Sequence, residues 1–253
     1  MSPDLSIRLT PGAAVTQTQP SRWHLEIPPG SSSQYRLAQL DDTTARSRRA
    51  FCWHPPVTLQ VRARISNPLV SGTWGFGFWN DPFAARFGIK GSMRQLPAFP
   101  NAAWFFFASP PNYLSLQDHL PANGFLASTF QANSVSPLCL TPGIMALPFL
   151  ILRPFARFAR RLGRIFVHQD SASLNILPTV WHEYRLDWQL NGVSYIVDGN
   201  PIFTTPISPD GPLGLVLWID NQYAAFTPQG KISVGTLSSD TPFWLELENL
   251  SVT

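Results

Sequence analysis

The sequence predicts an all-β protein, a sandwich of two antiparallel sheets carrying one inserted amphipathic helix. Three observations lead there. Aromatic residues make up 13% of the 253 residues and there are 25 prolines; aromatics favour strands, and proline is expelled from helix interiors. Segment after segment alternates apolar and polar residues with a period of two, between turns marked by Gly, Pro and Asn. One stretch alone, Pro154 to His168, changes to a helical period.

Taken in order, residues 1–22 are rich in Thr, Gln, Pro and Ser and read as an arm or edge strand; residues 23–253 read as a single β-domain. WHLEI from Trp23 and SQYRLAQL from Ser33 are the first alternating strands. VTLQVRARIS, Val57 to Ser66, is the clearest: Val57, Leu59, Val61, Ala63 and Ile65 share one side, and Thr58, Gln60, Arg62 and Arg64 the other. In GTWGFGFWNDPF, from Gly72, the glycines Gly75 and Gly77 alternate with Trp74, Phe76 and Phe78, leaving one face bare. Either a ligand approaches that face or large aromatics pack on it. NAAWFFFASPPNYLSL (101–116) and GFLASTF (124–130) are further strands. WHEYRLDWQLNGVSYIVDGNPIF (181–203) reads as a hairpin with LNG and DGNP turns. GLVLWIDNQYAAF (214–226) and FWLELENLSV (243–252) complete the set.

The insertion, about residues 138–170, holds the helical stretch. On a wheel of about 100° per residue, Phe155, Phe158, Leu162, Ile165 and Phe166 share one face, opposite Arg153, Arg157, Arg160, Arg161 and Arg164. Pro154 suits a first helical turn. Three readings stand: a surface helix over an open edge or groove, a membrane-interface helix beside the apolar run Pro142 to Leu152, and a partner or anion site. The residues that would form the lid or membrane contact are Phe155, Arg157, Phe158, Arg161, Leu162 and Phe166.

Only 13% of residues are charged, and the net charge is +3. Those five helix arginines account for all of it, and no acid lies between His119 and Gln169. A general nucleic-acid surface is therefore not expected. Cys52 and Cys139 fit neither a disulfide framework nor a metal knuckle. No apolar run reaches the roughly 18 to 20 residues of a spanning helix, and the first ten residues hold no secretory h-region. A cytoplasmic protein, with peripheral membrane contact as an alternative, is the expectation. P-loop, dinucleotide, zinc and nucleophile-elbow motifs are absent.

The hairpin carries a recognisable pattern. Trp181, His182, Tyr184, Trp188, Tyr195, Val197, Asp198 and Gly199 match a segment of glycoside hydrolase family 16, in the concanavalin A-like lectin and glucanase superfamily. VTLQVRARIS, GTWGFGFW and FWLELENLSV resemble that family's flanking strands in the same order. The resemblance implies a jelly-roll of two curved sheets with a concave binding face. It also implies an E-x-D-x-(x)-E strand, whose two glutamates stand about 5 to 5.5 Å apart in a retaining mechanism. Here NAAWFFFASPPNYL takes that strand's place, and no carboxylate lies between Asp81 and Asp118. Ordinary retaining hydrolysis is therefore not expected.

The expected function is binding of a carbohydrate or hydrophobic small molecule in an aromatic cleft. Candidate ligand contacts are Trp79, Asn80, Trp104, Asn112, Tyr113, Trp218 and Gln222. The alternatives are the membrane reading and an enzyme with relocated chemistry using Asp220, Asp81, or Asp118 with His119. Asp220 in so apolar a strand is costly unless paired or used, and Asp81 suits an Asn-Asp-Pro turn. No organic cofactor is expected. The resemblance brings a structural calcium, with Glu248 at a position that often helps hold it, although calcium takes six or more oxygens.

Overall fold

A computed structural model describes residues 3–44, 46–82, 98–132 and 152–253. Two antiparallel seven-stranded sheets face each other. The first has the order β1-β4-β13-β6-β7-β8-β9, with β1 Ser6–Leu9, β4 Leu37–Asp41, β6 Thr73–Trp79, β7 Ala102–Ala108, β8 Gly124–Ala132, β9 Val167–Ser173 and β13 Gly214–Asp220. The second runs β12-β11-β10-β5-β16-β3-β2, with β2 Ala14–Gln19, β3 Arg22–Ile27, β5 Val57–Ile65, β10 His182–Gln189, β11 Gly192–Val197, β12 Asn200–Thr205 and β16 Phe243–Val252. The sandwich is as the alternation predicts, and the one described α-helix, α1 (Arg153–Phe166), falls where the helical period placed it. The stretch 1–22 forms an edge strand in each sheet: β1 pairs with β4, and β2 with β3.

The core lies between the sheets. Val57, Leu59, Val61, Ala63 and Ile65 point into it, as do Trp74, Phe76 and Phe78. Phe105 meets Tyr184 and Tyr195 edge-on at 5.1 and 5.2 Å, and Phe76 meets Tyr184 at 5.1 Å. Such edge-to-face pairs are worth about 0.5–1.5 kcal/mol beyond the area they bury. Tyr195 keeps its buried hydroxyl satisfied by donating to Ser128 O at 2.6 Å. In the β10–β11 hairpin, His182 Nδ1 lies 2.6 Å from Asp198 Oδ2 and its Nε2 3.1 Å from Leu177 O, so this histidine ties the turn together.

Two local readings need correction. GLVLWIDNQYAAF is not one strand: it breaks at Asn221 into β13 and β14 (Gln222–Phe226), and β14 leaves the large sheet to pair with β15 (Ile232–Thr236) and, through one parallel bridge, with Tyr113. The cause is the buried Asn221 amide, which accepts from Arg36 N and donates to Gln34 O and Leu237 O, pinning the chain away from the sheet. The helical stretch also ends earlier than His168, passing at Val167 directly into edge strand β9. Cys139 and most of the run Pro142 to Leu152 lie outside the described residues.

Candidate functional site

The outer face of the first sheet, turned away from the core, gathers the unusual chemistry. Register places Arg8, Gln39, Trp218, Gly75, Phe106 and Leu126 in one row across five neighbouring strand pairings. The adjacent row holds Asp41, Val216, Gly77, Trp104 and Ser128, and the next Gly214, Trp79, Ala102 and Phe130. The bare glycine face therefore belongs to this outer surface. A Cβ on Gly75 would stand 2.9 Å from the Trp218 ring, and one on Gly77 2.5 Å from Trp104 Cα and Cβ. The glycines make room for indoles, the second of the two readings that their spacing allowed.

Those indoles form a continuous platform. Trp79 and Trp218 stack with ring centroids 6.5 Å apart and planes 8° from parallel; Trp104 lies 5.6 Å from Trp218 and 6.1 Å from Trp79. Phe106, which sequence reasoning did not select, stacks on both Trp104 and Trp218. Trp218 is fixed by a chain of hydrogen bonds: its Nε1–H donates to Thr73 Oγ1 at 2.9 Å, and Thr73 donates to Asp220 Oδ1 at 2.7 Å. The Tyr35 hydroxyl and Gln222 N also donate to Asp220. Burial pushes the Asp220 carboxyl up to about 6, against the pull of these donors. Asp220 thus acts as the anchor of the platform's central ring.

At one end of the platform lies a knot of charge. Asp41 is wholly buried and accepts from Gln39 Nε2, and from the backbone and hydroxyl of both Thr43 and Thr44. Arg8 is only 7% exposed; its Nη1 is 3.9 Å from Asp41, and its Nη2 has no hydrogen-bond acceptor among the described residues. The Trp104 Nε1–H likewise lacks an acceptor there. Asp81, two residues past Trp79, has its carboxyl pushed up to about 6 by burial; Arg8 and Arg48 pull it down, and Asp41 pushes it further up. Arg48 donates to the Asn80 and Asp81 carbonyls, fixing this turn.

Other candidates sit elsewhere or are already engaged. The Asn80 amide donates to Phe99 O and accepts from Asn101 N; the Asn112 amide donates to Ser109 O and accepts from Ala224 N. Both are buried loop braces and not surface contacts. Gln222 leaves the sheet with β14 and is exposed there. Tyr113 lies under the Arg160 guanidinium at 5.3 Å. Asp118 and His119 occupy a turn, not a strand, and Asp118 pairs with Arg160 and Arg164. Slight burial works against it, but those two arginines hold the Asp118 carboxyl below its usual range, so it is a poor proton donor. Glu248 is paired with Arg62, and no group of three or more His, Cys, Asp or Glu among the described residues is placed to hold a metal. A guanidinium where a cation should sit does not fit the expected calcium.

Sequence reasoning missed Arg8, Tyr35, Gln39 and Asp41. Arg8 was visible only if SIRL, within the first ten residues, is read as a strand, whereas Tyr35 and Gln39 lay in the alternating SQYRLAQL and Asp41 directly after it.

No protein-family model matches the chain, and no curated protein matches it. Among solved structures it is similar to a Bacillus licheniformis β-glucanase, with 12% identity, 92% of this chain and 79% of that one covered, and a TM-score of 0.46. A Bacteroides ovatus glycoside hydrolase family 16 protein in complex with the product G4G4G3G gives 10%, 96%, 85% and 0.48. A lichenase derived from a mouse hindgut metagenome gives 12%, 94%, 81% and 0.47.

Proposed function

We propose that the chain binds a carbohydrate on the outer face of the first sheet. The Trp79–Trp104–Trp218 platform carries this reading: sugar rings present C–H faces that stack on indoles. Two donors separate a saccharide from a purely apolar ligand, the other class that the sequence allowed. Trp104 Nε1–H and Arg8 Nη2, beside the platform and without acceptors among the described residues, suit an oxygen-rich ligand. The hairpin's resemblance to family 16 is in keeping with it.

Titration of the full chain with neutral and acidic oligosaccharides, followed by tryptophan fluorescence and calorimetry, tests the proposal. Trp104→Ala is expected to weaken binding at least tenfold, about 1.4 kcal/mol. Trp181→Ala, on the opposite outer face, should leave it unchanged. A chain that ignores every saccharide yet takes up an apolar dye on this face overturns the reading.

A second reading, an enzyme with relocated acid chemistry, rests on Asp81. A carboxyl held at about 6 carries a proton in mildly acidic solution, where an ordinary aspartate has lost it, and can give it to a leaving oxygen. Hydrolysis of a bound oligosaccharide that Asp81→Asn abolishes, with binding intact, would establish it; binding without hydrolysis rejects it.

A further inference from the structure

We propose that α1 is a membrane-contact helix, laying its apolar stripe into the headgroup region of an anionic bilayer while its basic side clips it to the sandwich. A surface helix of a soluble protein normally turns its apolar face inward. Here the reverse holds. Arg160 is 2% exposed, lies over the Tyr113 and Phe226 rings, and donates to Phe226 O at 2.5 Å and Asp118 Oδ1 at 2.9 Å. Arg164 donates to Leu116 O at 2.8 Å and pairs with Asp118. The surface on which α1 docks offers carbonyls and a carboxylate, so arginines, not phenylalanines, go in.

The consequence is a stripe of large apolar side chains facing solvent. Phe158 is 59% exposed and Ile165 63%, and Leu162 is exposed beside them. Phe166, expected to join them, instead stacks on Phe99 at 5.7 Å. At about 100° per residue, Arg157 and Arg161 fall between the docked side and this stripe; both are exposed. A helix of 14 residues is about 21 Å long. It is too short and too basic to span, and no described helix is long and apolar enough to cross a membrane. An apolar stripe bordered by arginines is instead the make-up of a helix lying in the interface plane.

Charge selects the occupant. With Arg160 and Arg164 spent on Asp118, Arg153, Arg157 and Arg161 stay exposed along α1, which itself carries no acid, so the exposed side of the helix complements a negative surface. Arginine stems can lie along the acyl boundary while the guanidiniums reach phosphates. This inference stands apart from the carbohydrate proposal, since the docked helix contributes none of the platform rings.

Flotation of the full chain with phosphatidylcholine vesicles, with and without phosphatidylserine, tests it. The chain should float with the phosphatidylserine vesicles and largely stay behind with the neutral ones. Phe158→Ser with Ile165→Ser should cut flotation at least tenfold while leaving the melting temperature unchanged, because both side chains are exposed. Arg157→Gln with Arg161→Gln should reduce binding to the anionic vesicles and remove most of its salt dependence. Trp104→Ala should float like the parent. No flotation on phosphatidylserine vesicles at low salt overturns the proposal. So does a concentration-dependent dimer, seen by sedimentation, that the double serine variant converts to monomer; the stripe would then be a self-interface.

Discussion

The two outer faces of the sandwich both carry tryptophans, and treat them in opposite ways. On the second sheet, Trp181 lies under three guanidiniums, those of Arg22, Arg62 and Arg64, at 4.9 to 5.4 Å. Glu246 and Glu248 answer those arginines, and the whole face is a mesh of ion pairs that water can reach. On the first sheet the indoles lie against one another, the carboxylates are buried, and burial holds two of them near neutrality. A solvated face balances its charges in place. Among the described residues the first face leaves donors without acceptors, and its acids titrate higher than usual, features that cost stability and that a ligand can use.

Glycine gives the harshest test of that contrast. Gly77→Val would set a Cβ 2.4 Å from Ala103 O and 2.5 Å from Trp104 Cα, and backbone cannot yield cheaply. The expected cost is about 3 kcal/mol or more, read by urea denaturation, with the platform tryptophan fluorescence disturbed. On the opposite face Gln60→Val, in an outward position of β5, should stay within about 0.5 kcal/mol. Equal costs would remove the claim that the first face is packed to close tolerance.

Next in size is a difference in pH response. The folded-state values of Asp81 and Asp220, about 6, lie above the ordinary 3.8. Their stabilising contribution is therefore complete below the ordinary carboxylate value and is lost as pH rises through 6. Each is worth up to about 3 kcal/mol at 1.36 kcal/mol per unit. On the second face Glu246 runs the other way: against partial burial, Arg64 and Arg22 hold it below its ordinary range, so its contribution persists until pH falls below that range. Between pH 7 and 5 the first face takes up protons on these two buried acids. Stability should rise as the solution is acidified from 7 to 5, and Asp81→Asn should flatten about half of that rise. A stability curve that falls over this interval would remove the buried-acid description of the first face.

Much of this was legible in the sequence, for identifiable reasons. Strict alternation in VTLQVRARIS and GTWGFGFW assigned inward and outward residues, because register leaves a strand no other choice once one face is buried. Trp79, Trp104 and Trp218 were all among the ligand contacts that the sequence suggested, each from its own strand. What stayed hidden depended on partners distant in the chain. Gln222 was lost to the site because Asn221 is bound by backbone from residues 34, 36 and 237. The docking side of α1 was set by Asp118 and by two carbonyls that no periodicity reveals. Arg8 went unnoticed because a short strand in a polar arm resembles a linker, and Asp41 because its partners Thr43 and Thr44 lie in the turn beyond its strand.

The smallest expected effect sharpens the contrast from the other side. Glu248→Gln removes the carboxylate that pairs with Arg62, yet Arg62 keeps its place 5.4 Å over the Trp181 ring, and both partners are partly open to water. An ion pair of this kind is worth about 0.2–1 kcal/mol and weakens with salt. The change should lower stability by less than about 1 kcal/mol in low salt, fade at high salt, and leave untouched the saccharide binding proposed for the other face. On the first face the corresponding manipulation, Arg8→Met, should act through charge: with Arg8 gone, Asp81 loses a group that pulls it down, and its titration should move above 6. One face then answers the loss of a charge with a small, screened change in stability, and the other with a moved proton, which is the difference between a surface that is only solvated and one arranged around chemistry.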